Sequence, residues 1–406
     1  MLLGAKCRDL GLESTHLRLQ LEHPPYPAEG VHRRLIPRPT VVDEAPSCGR
    51  AATYAANRCH SPGVRPLLTS AIQRLWRDGE TLQLGRHPGR AVVLAGIDPG
   101  AREVLAMLNG SRDRAAIVHA ADAAGCPPAR TEAMLRLLDA AGLLDDAATD
   151  RGIAALDRDA RDRLAPDVGS LRLVRGSDAA QVLRRRRSAR VVVEGAGRVG
   201  APVAALLAAA GIGSVRVVDD GLTRPEDCGV GGLAATAIGR PRQEAARDLV
   251  TAATAPRPVL AAVPTALPDL VVLTPVGGAP MPEPPRLLPH LLSEVRGEVG
   301  VVGPLVMPGT SACLRCLDLA RTDADPGWPA VAVQLATNSR TQAPCDGVLA
   351  VAVAAQTVLQ ALAFLDGGGL PSAAGGTLEL TLPDWRWRRR SWQVHPDCDC
   401  AWPTGT

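Results

Sequence analysis

"ARVVVEGAGRVGAPVAALLAAAGIGSVRVVDDG", residues 189–221, decides the fold of the larger part of this chain. Val191, Val192 and Val193 form an apolar run of the kind that makes a strand buried on both faces. Gly195, Gly197 and Gly200 follow in G-x-G-x-x-G spacing. "APVAALLAAAG" predicts a helix closed by Gly211, and "SVRVVDD" a second strand ending at Asp219 and Asp220. Glycines there let the backbone approach a phosphate, and the helix N-terminus favours negative charge. An acid about twenty residues further on accepts ribose hydroxyls. The stretch therefore predicts an α/β, Rossmann-like domain with Gly197 nearest the phosphate and Asp219 on the ribose. An NAD(P)-binding oxidoreductase carries the same turn, so the rest of the chain must separate the readings.

The chain has 406 residues, which predicts more than one domain, and 46% are apolar, enough for packed cores. A net charge of +3 is small for this length and argues against a nucleic-acid-binding protein. The run Arg184-Arg185-Arg186-Arg187 reads as a solvated linker. No uninterrupted apolar stretch is long enough to cross a membrane, and the N-terminus lacks the basic and apolar pattern of a secretory signal. These features predict a cytoplasmic protein without membrane partners. The ten cysteines then read as free thiols and metal ligands rather than a disulfide frame.

Four segments are expected. Residues 1–62, with "EHPPYPAEG" and "RRLIPRPT", show no sustained period and predict disorder or a start placed too far upstream. Cys7, Cys48 and Cys59 fall here and are read as idle. Residues 63–147 predict a small α+β domain of winged-helix order, β-β-α-α-α. Its strands are "TLQLG" and "AVVLAG", and its helices are "DPGAREVLAMLNG", "SRDRAAIVHAADAAG" and "PPARTEAMLRLLDAAGLLDD", the second opened by Ser111 as cap. Residues 148–188 predict a linker with one helix, and residues 189–406 the Rossmann-like domain.

Two thiol pairs lie far apart in the sequence, Cys313 and Cys316 in "CLRC" and Cys398 and Cys400 in "HPDCDC". C-x-x-C is a common zinc half-site, and the tighter C-x-C leaves His395 or a water as an alternative ligand to Cys398 or Cys400. Four protein ligands leave no open position, so the ion would be structural. Redox or incidental thiols are the competing reading. Cys345 in "APCDG" stands before a predicted helix whose dipole would lower its pKa, which makes it a candidate nucleophile. A buried, inert thiol is the plainer alternative, and Cys228 in "EDCGVGG" is ambiguous in the same way.

"VVDDG" followed by "EDCGVGGLAATAIGRPRQEAARDLV" resembles the ThiF/MoeB family, relatives of the ubiquitin-activating enzymes. In that family a G-x-P-K opens the next helix, and here "GRPR" (Gly239 to Arg242) occupies the place. Both cysteine pairs fall where the family holds zinc, and "GVLAVAVAAQTVLQALAFLDG" matches the helix between them, so the resemblance spans residues 188–402. It implies ATP and Mg²⁺, adenylation of a peptide or carrier-protein C-terminus, and a homodimer. It implies a phosphate contact for Arg242 and cofactor contacts for Gly195, Gly197, Gly200 and Asp219. The family pattern also breaks. The Asn-x-x-Arg stretch reads "EDCGVGG", with Asp227 at the Asn and no Arg, although Arg224 or Asp220 stands near. The magnesium-holding acid is replaced by Thr274 and Pro275 in "PDLVVLTPVGGAP", with Asp269 at the wrong end of the strand.

Residues 63–147 resemble the PqqD-like domains that grip an extended leader peptide by strand addition. The fusion resembles the leader-binding proteins of thiazole/oxazole-modified microcin pathways, where a YcaO-type enzyme performs the cyclodehydration. The combined expectation is a degenerate ThiF-like protein that binds a precursor peptide for such a partner. The alternatives are an active adenylyltransferase and, less well supported by the cysteine pairs, an oxidoreductase.

Overall fold

The computed structural model describes residues 18–20, 64–86, 91–147, 153, 156–254, 267–276, 284–337 and 344–401. Cys7, Cys48 and Cys59 lie outside them. The chain divides into two compact units, residues 1–156 with 165–180, and residues 157–164 with 181–406.

The first unit holds a four-stranded sheet of β1 (Arg18–Gln20), β3 (Arg74–Trp76), β4 (Leu82–Leu84) and β5 (Val92–Ala95), in the order β1-β5-β4-β3. A short pair of β2 (Pro66–Leu68) and β6 (Leu144–Asp146) closes its ends together. Between β5 and β6 lie the helices α1 (Pro99–Met107), α2 (Arg114–Ala123) and α3 (Pro128–Ala140). Asp98 and Asp113 cap α1 and α2 by accepting from the amides of Ala101 and Ala116, so the second cap is Asp113 rather than Ser111. Leu82, Leu84, Val92, Leu94, Val104, Ile117, Met134 and Leu138 fill the core between sheet and helices. The order β-β-α-α-α is present, with additional strands on either side of it.

One of these strands corrects the reading of residues 1–62. Arg18–Gln20 pairs antiparallel with β5, so the segment is not wholly without regular structure. The alternation Leu17-Arg18-Leu19-Gln20-Leu21 is the strand signal, too short to stand out among the surrounding prolines.

The second unit is built on a seven-stranded mixed sheet of order β13-β12-β11-β10-β9-β7-β8. β7 (Arg190–Glu194), β8 (Ser214–Val218), β9 (Leu270–Leu273) and β10 (His290–Arg296) run parallel. β11 (Val299–Val306), β12 (Gly376–Thr381) and β13 (Arg386–Ser391) continue it antiparallel. β7 lies between β8 and β9, so the chain leaves it toward opposite sides, the place where open α/β sheets bind ligands. The helix after β7, α6 (Gly200–Ala209), packs beside α7 (Arg242–Thr254) and α10 (Gly347–Asp366), the last following α8 (Leu314–Ala324) and α9 (Trp328–Thr337) in the chain. By length and composition α10 could span a membrane. In the fold it is a core helix, with Leu349, Ala350, Val353, Ala354 and Ala361 buried against the sheet and α6.

The stretch read as a linker is largely helical: α4 (Arg158–Arg175) and α5 (Ala179–Ser188) occupy most of it. Nor is the arginine run wholly solvated. Arg186 is buried and forms a two-pronged ion pair with Asp366, Nε to Oδ1 at 2.7 Å and Nη2 to Oδ2 at 2.6 Å. Arg185 donates to the Asp366 carbonyl at 2.6 Å. The pairing partner lies 180 positions away, beyond any local pattern. Removing one member of a buried pair strands the other charge, at a cost of about 3–5 kcal/mol. Arg186→Ala is therefore expected to lower unfolding stability by about that amount in urea titration, whereas Arg184→Ala, on the exposed side, should change it by less than about 0.5 kcal/mol.

Candidate functional site

The glycine turn sits at the C-terminal end of β7, held tightly against the end of β9. Gly195 has φ +99°, and a Cβ there would lie 1.9 Å from the Thr274 carbonyl oxygen. A Cβ on Gly200 would lie 2.0 Å from the Gly195 carbonyl. These two glycines are required by packing before any ligand is considered. A Cβ at Gly197 would lie nearest the Val276 side chain, 3.1 and 3.2 Å from its methyls. Thr274 follows β9 directly. It is buried, and its hydroxyl lies 2.9 Å from both the Glu194 and Gly195 carbonyls, fastening the turn. Asp269, at the other end of β9, accepts from the Arg190 amide at 2.8 Å.

Asp219 lies beside the turn with its side chain 3% exposed. Its carboxylate accepts from the Ala196 amide at 2.7 Å and the Gly221 amide at 2.8 Å. Arg242, the first residue of α7, donates from Nε to both Asp219 oxygens at 3.0 and 3.1 Å. Its Nη1 reaches Asp227 Oδ2 and the Leu222 carbonyl, each at 3.3 Å. Burial works against the guanidinium charge, but the Asp219 and Asp227 carboxylates outweigh it and hold the Arg242 pKa above its ordinary value. Asp227 also accepts from the Arg224 amide at 2.9 Å. The structure thus brings Gly195, Asp219 and Arg242 together, but ties the acid and the base to each other. The Arg224 side chain is largely exposed and Asp220 is exposed.

One residue in the turn escaped the sequence reading. Arg198 donates from Nη1 to the Cys345 carbonyl at 2.7 Å and from Nε to the Glu226 carbonyl. It joins the glycine turn, the loop after β8 and the segment before α10. A charged side chain inside a glycine-rich turn was the available signal. Cys345 itself departs from expectation. Burial pushes its thiol pKa up, Arg198 opposes this, and the Asp346 charge adds to the rise. Asp346, not Cys345, caps α10 by accepting from the Leu349 amide. The thiol of Cys228 is likewise raised, chiefly by desolvation, with Asp227 and Glu226 adding to it.

The two cysteine pairs meet. Sγ–Sγ distances are 3.7 Å for Cys313–Cys316, 3.6 Å for Cys313–Cys398 and 3.4 Å for Cys316–Cys400. All four sulfurs lie within 4.8 Å of one another. A tetrahedron with Zn–S bonds of about 2.3 Å has sulfurs about 3.8 Å apart, so the set fits a zinc ion. The His395 alternative does not hold: Nε2 is 2.8 Å from Asp323 Oδ2, and Nδ1 accepts from the Asp397 amide at 3.1 Å. His395 instead shapes the "HPDCDC" turn, its carbonyl accepting from the Cys398 amide. The first pair lies at the start of α8 (Leu314–Ala324). The thiols are not alike. Burial pushes Cys313 up to about 11, whereas the amides of His395 and Cys313 hold Cys316 below its ordinary value despite burial.

Residues 170–267 match the model of the ThiF family. This stretch is a ThiF-family domain. It covers the glycine turn, Asp219 and Arg242. No curated protein matches the chain by sequence. Among solved structures, E. coli MccB with succinimide aligns over 83% of this chain and 98% of its own at TM-score 0.60 and 15% identity. E. coli MccB with AMPCPP and selenomethionine MccA aligns over 83% and 99% at TM-score 0.59 and 14% identity. The microcin C7 biosynthetic enzyme MccB in complex with N-formylated MccA gives 83%, 99%, 0.59 and 15%. At these identities the likeness is one of fold. It extends beyond the ThiF-family domain to most of the chain.

The four-sulfur geometry has a direct consequence. Purified protein is expected to carry about one zinc per chain, and Cys313→Ser should lower both metal content and melting temperature. Metal analysis with thermal unfolding checks this; metal-free protein of unchanged stability would contradict it.

Proposed function

We propose that this chain is a ThiF-like protein of a peptide-modification system that has kept the fold but not the adenylation chemistry. It binds a precursor peptide and presents it to a separate modifying enzyme of the YcaO type. The observation that carries the reading is the closed set Asp219–Arg242–Asp227. A ribose contact needs Asp219 oxygens as acceptors, yet these already take two amides and a guanidinium. A phosphate clamp needs an outward guanidinium, yet Arg242 is turned onto two carboxylates. Thr274, at the position of the metal-holding acid, supplies no negative charge for Mg²⁺.

Two supports lie outside that set. MccB, which shares the fold, has been solved with the peptide MccA. The first unit has the β-β-α-α-α order of peptide-gripping winged-helix domains, and strand addition to a sheet edge is the mode it suits. The four cysteines are proposed to hold a structural zinc that clips the C-terminal turn to α8. We further take the protein to be a cytoplasmic homodimer, as related folds commonly are.

An active adenylyltransferase is the second reading. It is favoured by the intact glycine turn and by MccB structures that contain ATP or AMPCPP. The two readings differ in what binding requires. Under our proposal the full chain binds the precursor encoded beside it, and the leader part of that peptide suffices. Affinity is unchanged by Mg-ATP, and addition of the chain raises turnover by the partner enzyme. Titration of labelled precursor with and without Mg-ATP checks this. Binding that requires ATP and the peptide's free C-terminus would favour the adenylyltransferase.

A further inference from the structure

The two strands expected to accept a peptide are not equivalent. β4 is interior, hydrogen-bonded to β3 on one side and β5 on the other. It has no edge to offer. β5 is paired with β4 on one side, and its other side is covered by β1 from the N-terminal segment. The register there is informative. Leu19 stands opposite Leu94 and Gln20 opposite Val93. From the other side, Leu82 stands opposite Leu94 and Gln83 opposite Val93. Both pairings are antiparallel, and the two segments share a tripeptide: Leu19-Gln20-Leu21 and Leu82-Gln83-Leu84. β5 is thus flanked by the same Leu-Gln step in the same register on both sides.

A sheet edge covered by a native strand is commonly a permanent device against aggregation. Two features argue for a replaceable cover. β1 is only three residues long, so it contributes few ladder bonds. It also reaches the sheet from a segment separated from β2 by the whole of residues 21–65, so its closure carries a loop-entropy cost. Resting on the peptide-binding reading above, we infer that the outer edge of β5 is the peptide-accepting edge. Arg18–Gln20 is its occupant in cis, and an incoming extended peptide must displace it. The inference also specifies the ligand class. It is an extended segment with leucines alternating with polar residues, as in Leu17-Arg18-Leu19-Gln20-Leu21, whose backbone amides complete the ladder and whose leucines take the register of Leu19.

The test uses the full chain. Successive amides of an edge strand point to opposite sides, so Leu19→Pro with Gln20→Pro removes the one of the two amides that faces β5 whichever it is, and leaves every residue of the second unit and of β3 to β5 unaltered. Hydrogen exchange at Val92–Ala95 reports occupancy in cis. Anisotropy of a labelled synthetic peptide of residues 14–23 reports acceptance in trans. If β1 holds the edge about nine-tenths of the time, apparent affinity for a competing peptide is reduced about tenfold. We expect faster exchange at β5 in the double variant, and about tenfold tighter binding of the peptide than by the wild type. A peptide of the same composition with its leucines grouped together should not bind. Unchanged exchange at β5 would overturn occupancy in cis, whatever the peptide does. Faster exchange with no gain in affinity would overturn the accepting edge, and failure to bind the precursor as well would remove the peptide reading with it. Equal binding of the grouped-leucine peptide would overturn the proposed pattern.

Discussion

The Asp219 carboxylate is the point on which the ThiF-family domain is fastened. Two backbone amides and the guanidinium of Arg242 converge on it. One amide comes from the glycine turn after β7 and the other from the loop after β8, while the guanidinium opens α7. Three segments of the switch point are thereby locked to one side chain. A carboxylate that accepts hydrogen bonds of this kind and is paired at short range is satisfied without a ligand. The same network that stabilises this end of the sheet uses the groups on which nucleotide recognition would depend.

Thr274 and Arg198 extend that logic. Both stand at the edge of the glycine turn. Each spends its hydrogen bonds on backbone carbonyls. The polar groups around the turn serve the protein's own cohesion. The apolar layer beneath, Val191 and Val193 against Val203, Leu207 and Leu270, would support a nucleotide fold equally well. On the function proposed above, the difference between enzyme and scaffold rests on a few polar side chains. The zinc-fitting cysteine cluster plays a comparable part at the other end of the sheet, where four thiols and His395 organise the C-terminal turn with little apolar burial.

The legible parts of the chain were those with local causes. The valine run, the glycine spacing and the apolar helix made β7, α6 and β8 readable, because strand period, turn chemistry and helix period all act within a few residues. The cysteine pairs were readable because metal coordination fixes residue type and spacing. The overlooked parts depend on distant partners. β1 is three residues whose hydrogen-bond partners lie more than seventy positions on, at Val93 to Ala95. Arg186 looked like one arginine in a solvated run, and only the return of α10 gives it Asp366. Cys345 was expected to be acidified by a helix dipole, but burial outweighs that field and raises its pKa. The Arg242 guanidinium is held by Asp219 and Asp227, and the pattern offered Asp227 only as a stand-in for Asn.

On the function proposed above, this turn no longer performs adenylation. The most direct measurement is exchange of labelled pyrophosphate into ATP by the purified, zinc-replete chain with Mg²⁺ and its precursor peptide. Two lost charge-stabilising groups are worth several kcal/mol of barrier, and each 1.4 kcal/mol is about tenfold in rate. No exchange above the protein-free background is expected. Exchange that rises with precursor concentration and is abolished by Arg242→Ala would contradict that function, and would mean that Arg242 leaves Asp219 when nucleotide binds.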